Sequence, residues 1–206
     1  MLQRTLPAGF IAPCLPTKTD KLPSGSQWLH EIKHDGFRII TRKNGAQVRL
    51  YSRPGNDLTR RFPLIVETLA RLRSRSCIID GEAVACDDNG VASFNLIRYR
   101  RHDDSTFLYA FGLIELNGDD LRRDPLEVRK ATLASIVAKA MLNAIDAGRL
   151  DHLFVDAETK AAVRADWMAK GEAVVRKYAR AQKIDGAGGI AYRAAWRQVL
   201  QRGPPN

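Results

Sequence analysis

The dipeptide Asn44-Gly45 constrains the fold of this chain more than any other feature. It separates two runs that alternate as strands do, Phe37 to Lys43 and Ala46 to Ser52. A two-residue Asn-Gly loop favours the tight turn whose twist matches that of paired antiparallel strands. The sequence therefore predicts a β-hairpin, and with it a sheet built at least in part from antiparallel strands.

The other apolar patterns predict further strands interleaved with helices. Strands are predicted at Trp28 to Lys33, Ser76 to Cys86 (broken at Asp80-Gly81-Glu82), Thr106 to Leu116 and His152 to Val155. Helices are predicted at Pro63 to Ser74, from a Ser93 cap through Arg101, at Pro125 to Leu142 and at Ala157 to Gln182. Because no regular βαβ rhythm is present, the fold class is α+β, with mainly antiparallel sheets flanked by helices.

The long helix from Pro125 has a periodic apolar stripe. Its predicted buried face comprises Leu126, Val128, Leu133, Ile136, Val137 and Met141. The composition also suggests three parts along the chain. Residues 1–27, rich in Pro, Thr, Ser and Gly, form an extended lead-in, residues 28–156 form the core, and residues 157–206 form a basic helical tail that frays from residue 183.

The charge and the cysteines narrow the classes of function. A net charge of +10 indicates a polyanionic partner, most often nucleic acid, although a basic surface can also serve solubility alone. No run of 18 apolar residues predicts a membrane helix, and Pro7 interrupts the N-terminus too early for a signal peptide. Cys14, Cys77 and Cys86 match neither a disulfide framework nor a zinc pattern, which suits a reducing cytoplasm.

Lys33 stands at the end of a predicted strand, before the turn His34-Asp35-Gly36. A lysine held there with its amine facing a pocket can act as a covalent nucleophile if burial or nearby cations lower its pKa. The alternative is a surface lysine beside an Asp-Gly turn. Taken alone, the tetrapeptide favours that alternative, because four-residue patterns recur by chance.

Three more elements follow Lys33 in order. They are Ser52-Arg53-Pro54-Gly55, Asp80-Gly81-Glu82, and the apolar strand segment Tyr109-Ala110-Phe111-Gly112-Leu113-Ile114. Each has a structural explanation by itself, as a turn, a bulge or part of the core. Their joint order within about 80 residues is much harder to explain by chance.

This set resembles the nucleotidyltransferase, or adenylation, domain of ATP-dependent DNA ligases, and particularly the bacterial type used in end-joining repair. The phrases that carry the resemblance run from Phe10 to Leu15, from Trp28 to Arg38 and from Leu116 to Leu126, and it covers roughly residues 8–140. It implies an ATP-grasp-like adenylation domain that is incomplete at its C-terminus, without the OB-fold domain that normally follows.

The resemblance implies roles for the residues of these elements. Lys33 would attack the α-phosphate of ATP to form a lysyl-AMP, and Arg38 and Arg53 would contact nucleotide or nick phosphates, as guanidinium groups do. Glu82 would hold the ribose or a divalent metal, Mg²⁺ or Mn²⁺. Phe111 would stack on adenine.

Other implied features concern Glu31 and the partners. Glu31 would lie beside the base, with a solvated strand residue as a nearly equal alternative. The substrate would be nicked or broken double-stranded DNA, with Arg53 as a DNA contact, and end-joining repair proteins would be partners. The protein would be cytoplasmic and associated with the bacterial nucleoid.

The sequence also departs from the family pattern. Gly112 stands where the family usually has an aspartate, and two downstream elements that carry a metal-binding carboxylate and phosphate-binding lysines are not clean. Glu172 or Asp185 is the candidate for that carboxylate. The chain is therefore expected to be a truncated, weakly active ligase. The alternatives are a non-catalytic nucleotide- or DNA-binding remnant and an RNA ligase or capping guanylyltransferase, against which the residues around Lys33 argue.

Overall fold

The computed structural model describes residues 9–15, 17–25, 28, 33–86, 92–148, 156–166 and 168–169, without the side chains of 141–144. The chain forms two compact units. One comprises Met1–Ala70 with Ser74–Asp119, and the other comprises Arg71–Arg73 with Asp120–Asn206. The predicted division near residues 27 and 156 stays a prediction.

A five-stranded sheet in the order β2-β1-β3-β4-β5 forms the framework. The strands are β1 (Phe37–Asn44), β2 (Gln47–Ser52), β3 (Ser76–Val84), β4 (Phe107–Leu116) and the two-residue β5 (Asp119–Asp120). The β1–β2, β1–β3 and β3–β4 pairs are all antiparallel. The predicted hairpin is confirmed, because Asn44 pairs with Gln47 across the turn, and so is the α+β fold class.

One face of the sheet is covered by helix α1 (Pro63–Ala70), which contacts β2 and β4. Ile65 and Leu69 are its buried residues, and Leu50 and Leu113 on the two strands are fully buried. The helix ends four residues before the predicted Ser74. The backbone of Arg75 already bonds to Gly45 and to the Asn117 side chain, so the preceding residues must form a connector.

The opposite face is apolar at one end, and there the lead-in covers it. The cluster on this face consists of Ile40, Ile78 and Ile114, against which Phe10 and Ile11 pack. The ring of Phe10 also meets Tyr51 edge-on, with centroids 5.7 Å apart. The lead-in, which has no regular secondary structure where it is described, is thus part of the core of this unit.

Several predicted boundaries in this unit are wrong. β3 runs without a break through Asp80-Gly81-Glu82 and ends at Val84, while Cys86 forms an isolated bridge with Ala92. Helix α2 (Phe94–Arg98) ends three residues before the predicted Arg101. Trp28 and Lys33 are irregular, and the residues between them lie outside the described ranges.

The second unit contains helix α3 (Leu126–Asp146), four residues longer at its C-terminal end than predicted. Its buried face is only partly as expected. Leu133 is buried, but Leu126 and Val137 are 40% and 37% exposed. Ala131, Ala138 and Ile145 are buried instead, a spacing of seven residues that keeps them on one side of a helix. The periodic pattern predicted a buried face made of large apolar side chains, whereas the buried face of α3 also includes the small side chains of Ala131 and Ala138.

Residues 157–166 and 168–169 are helical, which agrees with the first half of the predicted 157–182 helix. The predicted strand His152 to Val155 and residues 170–206 lie outside the described part of the chain. Among the described residues, no helix combines the length and apolar character needed to cross a membrane.

The packing of the lead-in can be tested with Phe10→Ala. We expect this variant to lower the free energy of unfolding by about 1 to 2 kcal/mol, because it exposes part of the Ile40 cluster and removes the ring contact with Tyr51. The measurement is urea unfolding followed by circular dichroism. Leu22→Ala, at a position 80% exposed, is the control and should change the value by less than about 0.5 kcal/mol. Equal stability of the two variants would show that the lead-in does not cover the sheet.

Candidate active site

Polar and charged side chains lie on the same sheet face as the Ile40 cluster, at the opposite end of that face. Arg38 on β1 pairs in register with Glu82 on β3, and Glu82 pairs with Tyr109 on β4. Paired residues of neighbouring strands share a face, and Asp80, two residues from Glu82, shares it too. Three strands thus contribute polar groups to one patch.

Arg38 is fixed in this patch by Asp80. Its Nε donates to Oδ1 at 2.6 Å and its Nη2 donates to Oδ2 at 2.7 Å. The Asp80 side chain is only 11% exposed, so the pair is largely shielded from water. The bond raises the pKa of Arg38 above its ordinary value. Such two-pronged, charge-assisted pairs are among the stronger hydrogen bonds, and this one ties β1 to β3.

Phe111 reaches the patch through a β-bulge. Gly81 pairs with Ala110 and Asp80 pairs with Gly112, so Phe111 is the extra residue on β4. A bulge re-aims the side chain of the inserted residue, and bulges are common beside active sites. The guanidinium carbon of Arg38 lies 4.6 Å from the centroid of the Phe111 ring. The irregularity predicted within Asp80-Gly81-Glu82 therefore belongs to the facing strand.

The turn that carries Lys33 is held on two sides. The Asp35 Oδ2 accepts a hydrogen bond from the Phe94 backbone N–H, the first residue of α2, at 3.0 Å. Ser93 occupies the predicted cap position, but its side chain makes no cap bond, so Asp35 takes that role. A Cβ at Gly36 would lie 2.2 Å from the Ala83 carbonyl oxygen, so only glycine permits this approach to β3.

His34 makes a contact that the sequence did not reveal. Its ring stacks on that of Tyr109 with centroids 3.7 Å apart and planes within 5°. The two residues are far apart in sequence, so local patterns give no signal for the pair. Only the resemblance, which places the Lys33 turn and the Phe111 strand around one nucleotide, hints that they are neighbours.

Glu82 is the electrostatic centre of the patch. Burial raises its pKa, the positive charges of Arg38 and Lys33 lower it, and the carboxylates of Asp80 and Asp35 raise it further, with a net upward shift. Lys33, an exposed residue, directly precedes His34, whose ring stacks on Tyr109, the register partner of Glu82. The structure thus brings Lys33, Arg38, Glu82 and Phe111 together.

Arg53 is not part of this cluster. Ser52 pairs with Ile39, so Arg53 follows at the end of the sheet where Arg38 lies, in a turn closed by the Gly55 N–H bond to the Ser52 carbonyl. Its side chain is exposed and has no hydrogen bond or ion pair within the described residues. Three further predicted site residues, Glu31, Glu172 and Asp185, lie outside the described ranges.

The described residues can supply only part of the coordination shell of a cation such as Mg²⁺. Within the described ranges, no three His, Cys, Asp or Glu side chains form a group that could hold a metal ion. Asp80 is already bonded to Arg38, which leaves Glu82 as the available carboxylate of the sheet face. Mg²⁺ commonly binds one or two carboxylates and takes the rest of its shell from water and substrate phosphates, so Glu82 fits that pattern.

Gly112 lies directly beside the ion pair. A Cβ at this position would be 3.1 Å from the Cβ of Asp80, closer than side chains usually approach. An aspartate here, which the resemblance led us to expect, would therefore add a second carboxylate next to Asp80. With glycine, Asp80 is the carboxylate that faces Arg38.

A cavity of about 640 Å³ in this unit lies away from the patch. Its lining includes Arg60, Arg100 and Asp104 together with two ion pairs, Arg61–Asp103 at 3.1 Å and Arg49–Asp57 at 3.5 Å. None of the predicted site residues lines it. We assign the candidate site to the open sheet face, because the Lys33 turn, the carboxylates and the fixed arginine converge there.

Comparison with known proteins identifies the family. The profile described as ATP dependent DNA ligase domain matches residues 15–181, which is most of the chain. The chain belongs to the ATP-dependent DNA ligase domain family. The resemblance seen in the motifs around Lys33 is therefore confirmed at the level of the family.

The relatives include non-homologous end joining proteins and DNA ligases. The multifunctional non-homologous end joining protein LigD of Pseudomonas aeruginosa is 34% identical over 131 residues, which are 62% of this chain and 16% of that protein. DNA ligase C2 of Mycolicibacterium smegmatis is 34% identical over 142 residues, 63% of this chain and 39% of the relative. The solved ligase domain of M. tuberculosis LigD is 32% identical, with a TM-score of 0.48, covering 52% of this chain and 36% of that one. This ligase-family chain thus spans well under two thirds of the length of these relatives.

The raised pKa of Glu82 predicts a pH-dependent cost in stability. The folded protein holds the Glu82 proton more tightly than the unfolded chain does, so this residue's contribution to stability falls as the pH rises above the ordinary value of 4.5. Glu82→Gln should therefore raise the thermal midpoint at neutral pH and approach wild type at low pH. Thermal unfolding over a pH series is the measurement, with Glu158→Gln at an exposed position as control. A lower midpoint for Glu82→Gln at neutral pH would contradict the assignment.

Proposed function

We propose that this chain is an ATP-dependent DNA ligase that forms a lysyl-AMP on Lys33 and uses it to seal nicks or breaks in double-stranded DNA. One observation carries the proposal. In a chain of the ligase family, Lys33 directly precedes His34, whose ring stacks on Tyr109 beside Glu82, on the sheet face that also holds Arg38 and Phe111. A nucleophile, a fixed cation, a carboxylate and an aromatic ring are the parts that adenylyl transfer needs.

In the first step, the neutral amine of Lys33 forms a nitrogen–phosphorus bond with the α-phosphate of ATP. The bond from that phosphorus to the bridging oxygen of the β-phosphate breaks, and pyrophosphate leaves with the electron pair. Because Lys33 is exposed, solvent can take its proton. The step depends mainly on in-line positioning and neutralisation of phosphate charge.

The residues of the patch have complementary roles in this proposal. Phe111, turned by the bulge, offers a ring for stacking on adenine, which supplies binding energy without base-specific hydrogen bonds. Arg38, held by Asp80, presents a permanent positive charge to the nucleotide at no cost of ordering when ATP arrives. Glu82 accepts hydrogen bonds from ribose or holds a divalent cation.

A divalent cation, Mg²⁺ or Mn²⁺, would supply neutralisation of the triphosphate charge, and Glu82 would be its ligand in the described part of the chain. Phosphate oxygens and water would complete the shell. Glu172 or Asp185 would add the second carboxylate that the family carries downstream, and Glu31 would approach the base.

The second and third steps involve DNA. A 5′-phosphate oxygen attacks the AMP phosphorus and releases the Lys33 amine, and then a 3′-hydroxyl attacks the activated 5′-phosphate, forming the phosphodiester and releasing AMP. Arg53 would contact a DNA phosphate, which its exposed side chain, unpaired within the described residues, supports. The net charge of +10 supports a nucleic-acid partner. We further propose a cytoplasmic, nucleoid-associated protein that works with end-joining repair proteins.

A non-catalytic nucleotide- or DNA-binding protein is the second candidate. The observation that favours it is Gly112, which leaves one carboxylate fewer at the Arg38 patch than ligases usually have. Such a protein would bind nicked DNA in a salt-sensitive manner without forming a covalent adduct.

The proposal predicts covalent labelling through Lys33. The protein is incubated with α-labelled ATP and Mg²⁺ or Mn²⁺, denatured and separated, and nick sealing is measured on a labelled duplex. We expect stable label on the wild type, and for Lys33→Ala at least a 100-fold loss of both label and sealing, because no amine remains to form the bond. Lys18→Ala, at an exposed lysine of the lead-in, is the matched control and should label normally.

The outcomes separate the two candidates. Label that survives Lys33→Ala would overturn the choice of nucleophile. If the wild type takes no label under conditions where an intact ligase does, but still binds nicked DNA, the binding-only function stands in place of the ligase.

A further inference from the structure

We propose that Tyr109 and His34 are positioning residues, whose ring stack holds the Lys33 turn in register with the nucleotide-binding strands. This inference rests on the proposed function of Lys33. The proposed adenylyl transfer does not require either ring to touch ATP, and no local sequence pattern pairs them.

The stack is close and nearly parallel. The ring centroids are 3.7 Å apart and the planes differ by 5°, so the two rings overlap across most of their faces. Phe107 meets the ring of Tyr109 at 5.2 Å and 62°, which supports it from a second direction. The Tyr109 ring is therefore held by Phe107 as well as by His34.

The stack complements the other restraints on the turn. Asp35 is held at the start of α2, and Gly36 is pressed against the Ala83 carbonyl. Both contacts act on the side of the turn that leads into β1. His34 is the immediate neighbour of Lys33, so its ring contact is the restraint nearest the nucleophile among the described residues.

The stack also links the turn to the correct part of the sheet. Tyr109 is the register partner of Glu82 and lies two residues before Phe111 on β4. A displacement of His34 along Tyr109 would therefore shift the Lys33 amine relative to Glu82 and to the ring proposed to hold adenine. Because transfer to phosphorus demands in-line approach, small displacements of the amine lower the rate.

This role makes a specific kinetic prediction. If Tyr109 positions Lys33, losing its ring slows the chemical step but leaves ATP binding to Phe111, Arg38 and Glu82 intact. If Tyr109 contacts the nucleotide itself, losing the ring weakens ATP binding. The maximal rate of lysyl-AMP formation and the ATP concentration at half-maximal rate therefore distinguish the two.

The test compares three variants. Tyr109→Leu removes the ring, Tyr109→Phe keeps it, and Tyr99→Leu removes a tyrosine that is 65% exposed elsewhere on the same unit. We expect Tyr109→Leu to lower the maximal single-turnover rate of lysyl-AMP formation about 2- to 10-fold with an unchanged half-saturating ATP concentration. Tyr109→Phe and Tyr99→Leu should match the wild type. A normal maximal rate in Tyr109→Leu, or a loss confined to ATP affinity, would overturn the inference.

A second measurement does not depend on ligase activity. Trypsin cleaves after lysine, and cleavage at Lys33 requires the turn to open. The rate of cleavage at the Lys33–His34 bond, read by mass spectrometry of the native protein, should rise about 2- to 10-fold in Tyr109→Leu but not in Tyr109→Phe or Tyr99→Leu.

The two measurements keep the hypotheses separate. If the wild type takes no AMP label but Tyr109→Leu cleaves faster, the proposed function fails while the stack is upheld as the restraint on the turn. If the cleavage rate is the same in all four proteins, the stack does not hold the turn, and the inference is wrong whether or not the protein labels.

Discussion

The two-pronged bond between Arg38 and Asp80 is the interaction on which the site depends. It spans β1 and β3 at distances of 2.6 and 2.7 Å, and Asp80 is nearly buried. Removing either partner would leave the other charge poorly solvated, so the pair is costly to break. Because Arg38 is held this way, its guanidinium lies over Phe111 and its charge acts on Glu82. This ion pair thus fixes the guanidinium of Arg38, which in turn contacts the Phe111 ring and partly offsets the rise in the pKa of Glu82 that burial causes.

The sheet face combines two surfaces with different purposes. At the Ile40 end, the lead-in covers an apolar cluster and stabilises the unit. At the Arg38 end, burial first of all, and then the neighbouring carboxylates of Asp80 and Asp35, raise the pKa of Glu82 above its ordinary value. Strain of this kind is typical of functional sites, where like charges are kept together because a substrate or cation will later balance them. The divalent cation that accompanies the proposed nucleotide would supply that balance.

Local sequence rules predicted the hairpin at Asn44-Gly45, the strands around it and the presence of helices, because turn chemistry and periodicity act over a few residues. Long-range contacts decided the rest. Phe111 is a bulge only because β3 offers one residue fewer opposite it, which no property of β4 alone reveals. Asp35 caps α2 in place of Ser93 because the Lys33 turn folds against that helix. In α3, Ala131 and Ala138 are buried while Val137 is exposed. Which side of the helix is buried depends on the elements that pack against it, and the periodic pattern of the helix alone does not reveal this. Family resemblance, rather than patterning, located Lys33, Arg38, Glu82 and Phe111.

A double-mutant cycle on Arg38 and Asp80 tests most directly whether their pair organises the site. Urea unfolding would be measured for Arg38→Ala, Asp80→Ala, the double variant and the wild type. We expect the double variant to be less destabilised than the sum of the single variants, with an interaction free energy of about 1 kcal/mol or more. Additive effects, within about 0.3 kcal/mol, would show that the two side chains do not support each other and that their pair does not organise the site.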